Sequence, residues 1–401
     1  PRPTGPQWKY VPVPPTEPDP HPESDALERM TPEEGRLIAA RVRGKKHKHE
    51  GTNCDDWYEI GTAGPWTVIA VSDGAGSKRL SRVGAKVSCQ EAVRQLTAAL
   101  ADHRLQPRGP DCARKDAQHA AFLDPDVEFV QKKMHEAFQG AYIAVEKAWR
   151  ERVDDLAYAK LLTRKLVVED LSGTLLVAAH TTVRVQGREQ SLVVSCQIGD
   201  GVTAGLDPRG VVVVLGAADS GDYSGETDFL TSRRQLEPAN LQRKTFGFVG
   251  PLRALLVMTD GVADDYFPAD PGMARLYADL VLNGVLPPAV HVGEEALAEA
   301  GEHMAPNFDP SSLDTESEAV TANGPVRVML RSAATYASEL GRDVCRIAGD
   351  PAFLTAGARN APLAPASPKH CERLRLWLDA YQVRGSFDDR TMVVLHHERA
   401  G

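Results

Sequence analysis

Aspartate recurs in this chain at the ends of apolar runs. Asp55 and Asp56 follow the turn GTNC at 51–54. Asp73-Gly74 closes the run 66–72, and Gly199-Asp200-Gly201 closes 190–198. Asp260-Gly261 closes 253–258, with Asp264 and Asp265 close behind, and Asp388-Asp389 stands just before the run 390–397. A single Asp-Gly is ordinarily a β-turn. Five such sites at strand tips point instead to strand ends that converge on one place. Carboxylates gathered there repel one another unless cations neutralise them. Hard divalent ions such as magnesium and manganese take such oxygens and keep several waters. A glycine beside an aspartate lets the backbone come close enough for a carbonyl to add a ligand. Two such ions, about 3.5–4 Å apart, share a water, lower its pKa and present hydroxide to a phosphorus atom.

The elements that must position these residues read as follows. Residues 1–22 hold Pro1, Pro3, Pro6, Pro12, Pro14, Pro15, Pro18, Pro20 and Pro22, a density that neither helix nor sheet interior tolerates. The segment 1–34 is therefore expected to be an arm or linker, with order starting near Gly35 and a catalytic domain over 35–401. Leu37–Val42 reads as an edge strand, followed by the basic run GKKHKHEG at 44–51. WTVIAVS (66–72) reads as a buried strand. Apolar spacing predicts helices over 81–103 and 126–155. The runs 174–185, 190–199, 210–216, 244–249 and 253–261 are short, β-branched and separated by turn signals, which predicts an antiparallel meander. The segment 299–325 is polar and acidic and reads as a loop. Helices are expected near 327–347 and 370–383, and a last strand over 390–397. Helices lie between two groups of strands without βαβ alternation, so the fold class is α+β.

In order, SDGAGS (72–77), SGT (172–174), IGDG (198–201), MTDGVADD (258–265) and FDDRT (387–391) resemble the motifs of the type 2C metal-dependent serine/threonine protein phosphatases. CDDW (54–57), after His47 and Gly51, resembles their first acidic motif in its bacterial form. The resemblance spans roughly 35–265 and 385–397. It implies two antiparallel β-sheets packed as a sandwich flanked by helices, with the metal site at one end. It implies that Asp56 and Asp73 bind two Mn or Mg ions, Asp73 bridging both, with the Gly74 carbonyl as a further ligand. Asp260 and Asp388 would complete the pair and serve with them in catalysis. Asp55 stands where a glutamate is usual and would act through water. Asp200 and Asp264 match positions that hold a third, weaker metal. Thr174 is expected to be structural. The implied activity is hydrolysis of phosphoserine and phosphothreonine in proteins, opposing a serine/threonine kinase. Two other readings stand beside it: a phosphatase of a small phosphorylated metabolite, and a catalytically weak scaffold of the same fold.

Several positions depart from the family pattern. Gly51 occupies the place of a phosphate-binding arginine, so Arg41, Arg43 and His47, within a basic run that includes Lys45 and Lys46, are the candidates to bind phosphate. Ala75 stands where animal members have a histidine, Ser77 replaces a common glycine, and Asp389 a common asparagine. Asp260 and Asp388 are 128 positions apart (388 − 260), far more than the family's interval. An inserted subdomain or lid is expected somewhere in 266–385, before the last strand, with a role in substrate choice.

The formal charge of -9 argues against nucleic-acid binding, which needs a basic face. The cysteines at 54, 89, 112, 196, 345 and 371 form no CxxC pair, which argues against structural zinc and for reduced thiols in a cytoplasm. No apolar run approaches a membrane span. Among the 12 histidines, His47 and His49 would share a strand face, and His396-His397 reads as a strand end. No P-loop and no CxxxxxR loop is present, so neither nucleotide hydrolysis nor a phosphocysteine route is indicated.

Overall fold

The computed structural model describes residues 8–106, 124–216, 228–287, 310–350, 354, 357–363, 369–381 and 387–397. The strands are β1 Ser24–Met30, β2 Arg36–Val42, β3 Trp57–Ala63, β4 Trp66–Ser72, β5 Leu175–Val185, β6 Arg188–Ile198, β7 Val202–Leu206, β8 Val212–Val214, β9 Thr245–Gly250, β10 Ala254–Met258, β11 Thr315–Thr321, β12 Gly324–Leu330 and β13 Arg390–His396. The helices are α1 Lys45–Glu50, α2 Ser81–Leu100, α3 Pro125–Arg152, α4 Leu156–Leu162, α5 Pro238–Arg243, α6 Asp260–Ala263, α7 Ala269–Leu282, α8 Ala333–Glu339, α9 Val344–Gly349 and α10 His370–Ala380.

Two antiparallel sheets form the expected sandwich. One has the order β1-β2-β13-β10-β7-β8, the other β3-β4-β5-β6-β9. Strand alternation decides what each face meets. In β2, Leu37 and Ala39 point into the layer between the sheets, where Ile69, Val71, Leu176, Val257 and Val393 meet them. Ile38, Ala40 and Val42 point the other way, onto α7 and α10. Both faces are covered, so the central strands read as continuous apolar runs rather than alternating ones. Helices α2 and α3 cover the second sheet, packing Leu96, Met134 and Phe138 on Val68 and Val177. Helix α3 starts where Asp124 accepts the N–H groups of Asp126 and Val127 with Pro125 at its first position, a strong start signal.

The structure revises several expectations. Ser24–Met30 is already a strand paired with β2, so the sheet begins before Gly35. β2 lies between β1 and β13 and is not an edge. The run 44–51 is largely the short helix α1, not a strand, so His47 and His49 do not share a strand face. Part of 299–325 is not a loop: β11 and β12 form a hairpin, while 299–309 lies outside the described residues. The expected helix over 327–347 is the end of β12 followed by α8 and α9. The described part of 266–385 packs as a layer on the outer face of the first sheet, where Ala319, Val328 and Leu374 join the core of α7. That layer is tied to α1 by Lys48, whose Nζ donates to the Val320 carbonyl and to Asp379, each at 2.6 Å. No helix among the described residues is long and apolar enough to cross a membrane.

Candidate metal centre

Strand pairing brings the aspartates to one end of the sandwich. Asp56 immediately precedes β3, and Asp73 follows β4; the adjoining strand residues Trp57 and Ser72 are paired. Asp200 follows β6 and Asp260 follows β10. Met258 pairs with Val202 on one side and Met392 on the other, which sets Asp388 at the same end. Carboxylate oxygens of Asp73, Asp200 and Asp260 lie within 4.8 Å of one another.

The backbone around them is tightly held. The Asp73 N–H donates to Thr174 Oγ1 and the Thr174 N–H to the Asp73 carbonyl, both at 2.8 Å, so Thr174 fixes the tip of β4. Thr259 Oγ1 accepts the Thr391 N–H at 3.1 Å and donates to Asp56 Oδ2 at 2.9 Å. Asp56 is buried, and its Oδ1 has no hydrogen-bond partner among the described residues. Gly74 is a close-approach position: a Cβ there would meet the Asp55 carbonyl at 2.6 Å.

The electrostatics are those of crowded anions. Burial, then the charges of Asp260 and Asp56, hold Asp73 well above the usual carboxylate range. Burial, then Asp389, pushes Asp56 up to about 8 and Asp55 up to about 8. Burial, then Asp200, Asp388 and Asp264, pushes Asp260 up to about 7. Asp264 is exposed and also raised, by desolvation and by Asp200. A buried carboxylate oxygen without a partner, beside three carboxylates in mutual contact range, is a donor set that fits hard divalent cations.

Asp389 behaves differently from its neighbour Asp388. Its Oδ1 accepts the Gly44 N–H and its Oδ2 the Asp55 N–H, both at 2.6 Å, and His47 Nδ1 lies 2.9 Å from Oδ2. Burial alone would raise Asp389, but the His47 charge and these donors outweigh it and hold it low. Burial would lower His47, but Asp389 pushes it up to about 10. Asp389 is thus a structural anion that ties α1, the 51–55 loop and the last strand together. Nothing beyond its family departure pointed to it in the sequence, nor to Thr259 and Thr391.

Of the three residues expected to bind phosphate, Arg41 and Arg43 are buried away from the open cleft, and His47 is buried at its wall. Arg41 shares the face of Leu37 and Ala39, so it enters the layer between the sheets. It donates to the Asp56 carbonyl at 3.2 Å and stacks 4.6 Å over Trp57. Arg43 is buried and donates to Glu23, to the Val11 carbonyl and to the His47 carbonyl. His47 is buried against Asp389. The open cleft beside the aspartates is lined by Lys46, Lys78, Arg79 and Arg82, by Asp55, and, of the three expected residues, by His47 alone. None of its lining residues comes from 266–385.

A sequence model of the family described as protein phosphatase 2C matches residues 43–289, more than half of the chain. Comparison with curated proteins finds none that matches. Solved structures similar to this one include the serine/threonine phosphatase Stp1 from Staphylococcus aureus, at 9% identity over 98% of this chain and 99% of that one, TM-score 0.34. Another is the phosphatase MsPP from Mycobacterium smegmatis in complex with cacodylate, at 14% identity over 90% and 97%, TM-score 0.29. A bacterial serine phosphatase matches at 9% identity over 94% and 98%, TM-score 0.33.

Proposed function

The chain belongs to the protein phosphatase 2C family, and on that premise we propose that it hydrolyses phosphoserine and phosphothreonine in proteins, opposing a serine/threonine kinase. Two manganese or magnesium ions, when bound, supply a low-pKa water and neutralise the phosphoryl oxygens. Asp73, at the tip of β4, would hold the ions together with Asp56, Asp260 and Asp388, and the Gly74 carbonyl would add an oxygen. Thr174 and Thr259 hold Asp73 and Asp56 in place through the hydrogen bonds described above. Asp55 orients water, and Asp200 and Asp264 make a third, weaker position. Asp200 offers an oxygen within 4.8 Å of both Asp73 and Asp260, so this third position adjoins the other two. Ala75 is apolar, so protonation of the leaving alkoxide falls to water or to another residue.

The observation that carries this reading is the convergence of Asp73, Asp200 and Asp260 from three separate strand ends. The test is hydrolysis of a phosphothreonine peptide with manganese, with magnesium and with EDTA, beside the Asp260→Asn variant. Turnover that requires the metal and disappears in the variant is expected. A folded protein that binds manganese yet turns over no phosphopeptide would overturn the reading.

A further inference from the structure

The cleft beside the acidic centre already holds an anion, and the chain itself supplies it. Glu17, from the proline-rich segment, places its carboxylate 3.1 Å from Arg79 Nη2 and 3.2 Å from Arg82 Nη2. The two arginines differ. The Arg82 side chain is 2% exposed, and it also donates to the carbonyls of Pro18, Asp19 and Arg79. It is a fixture of the arm's seat. The Arg79 side chain is 46% exposed, and among the described residues it pairs with Glu17. Lys46 is exposed and Lys78 half-buried on the same wall. With Glu17 turned away, Lys46, Lys78, Arg79 and Arg82 face Glu50 and Asp55, while His47 on the same lining is paired with Asp389, and the cleft is left with excess positive charge.

Resting on the phosphatase reading above, we infer that this cleft is a subsite for a second anionic group of the substrate, close in sequence to the scissile phosphoresidue. Arg79, with Lys46 and Lys78, grips an acidic or phosphorylated side chain, and Glu17 is the internal anion it displaces. Asp55 belongs to both places: it lines the cleft, and its N–H is held by Asp389 next to Asp388. A guanidinium with free donors and a partly wet environment suits carboxylate and phosphate alike.

The exchange asks little of the arm. Its backbone is pinned on both sides of Glu17. The Val11 N–H donates to the Lys48 carbonyl at 2.7 Å, and the His21 N–H to Asn53 Oδ1 at 3.0 Å. Asp19 accepts from Arg152 at 2.7 Å and from Tyr158 at 2.6 Å. Only the Glu17 side chain has to rotate out.

The experiment compares three phosphothreonine peptides that differ beside the phosphoresidue: aspartates, a second phosphothreonine, or alanines. Binding of labelled peptides to the Asp260→Asn protein with manganese is read by fluorescence anisotropy, and KM is measured with the wild type. Anionic flanks are expected to bind about tenfold tighter than alanine flanks, the size of one charge-assisted hydrogen bond net of Glu17 displacement. Whichever of aspartate or phosphothreonine binds tighter identifies the anion. Arg79→Ala is expected to bring that ratio close to one, Arg79→Lys to retain part of it, and Glu17→Gln to widen it. A ratio near one in the parent, or a ratio unmoved by Arg79→Ala or by Glu17→Gln, overturns the subsite. Failure of the wild type to hydrolyse any of the peptides removes the phosphatase reading instead, and the subsite then stands or falls on the anisotropy ratios alone.

Discussion

At one end of the sandwich, aspartates crowd onto strand tips and are held above their ordinary pKa by burial and by one another. At the other end, His180 on β5 and His396 at the close of β13 are buried too, with His397 beside them half-buried, and desolvation holds all three below theirs. His180 Nε2 meets Ser191 Oγ at 3.0 Å, His396 Nε2 meets the Tyr277 hydroxyl at 3.1 Å, and the rings of His180 and His397 are 5.3 Å apart. Both ends bury ionisable groups, yet the outcomes are opposite. An imidazole discharges near neutral pH and then packs as a polar ring with ordinary hydrogen bonds. A cluster of aspartates relieves its repulsion near neutral pH only by taking up protons, which an arriving cation displaces. The histidine end is built for stability, and the aspartate end stores electrostatic strain that a ligand relieves.

The largest effect that can break this contrast is at Asp73. Asp73→Asn keeps the shape and removes the charge at the centre of the cluster. Metal-dependent turnover is expected to fall by about a thousandfold or more, because a shared metal ligand is lost. The metal-free protein is expected to gain about 1–3 kcal/mol of stability, because one source of like-charge repulsion has gone. Thermal melts in EDTA beside phosphopeptide turnover test both. A variant that is inactive and also less stable without metal would mean that the cluster carries no strain.

The next effect is steric and compares glycines at the two ends. A Cβ on Gly261 would lie 1.9 Å from the Asp389 carbonyl, and that carbonyl belongs to the loop that carries Asp388. The loop must move. Gly261→Ala is expected to cost about 2–4 kcal/mol and to weaken manganese binding measured by calorimetry. A Cβ on Gly35 meets Thr31 Oγ1 at 3.0 Å and the His397 ring at 3.4 Å, both of them side-chain atoms with room to adjust. Gly35→Ala is expected to cost about 1 kcal/mol or less, with metal binding unchanged. Equal costs at the two positions would show that the aspartate end has no special need for close backbone approach.

How far the sequence discloses these ends follows from what each signal depends on. The strand-tip aspartates are legible because an apolar run, an aspartate and a glycine are neighbours in the chain. The α+β class follows from strand-rich blocks on either side of helices, and the sandwich from the family resemblance of the motifs. The orientation of Arg41 is not legible from a basic run. It follows from the two-residue alternation of a strand with both faces covered, which sends the guanidinium between the sheets. β1 hides in SDALERM, whose burial is only partial, and β7 hides in the small residues of VTAGL. Thr259 and Asp56 are 203 positions apart, and Glu17 and Arg79 are 62 apart. Nothing local announces such pairs. Asp388 and Asp389 are adjacent and chemically identical, and only the folded loop leaves the first half exposed, 3.9 Å from His47, and buries the second against it at 2.9 Å.

The smallest effect sharpens the contrast from the histidine side. Burial depresses His396 to about 3 and His397 to about 4 in the folded protein, against an ordinary value near 6.5 in the unfolded chain. His180 is also held well below its ordinary value, by burial first and then by His397. Below pH 6.5 the unfolded chain therefore takes up protons that the folded protein refuses. The sign follows: stability is full above about 6.5 and is lost as pH falls toward the folded values. At pH 5.5 the loss is about 1 kcal/mol for each fully suppressed histidine. His21, depressed to about 3 by burial and by Arg41, adds in the same direction, and the raised aspartates act oppositely when metal is absent. The difference between wild type and His180→Gln isolates one imidazole from these. In urea titrations at pH 7.5 and 5.5, the variant is expected to lose about 1 kcal/mol less than the wild type on acidification, whatever its stability at the higher pH. Parallel losses in the two proteins would mean that His180 is protonated in place, and the two ends would then share one kind of electrostatic strain.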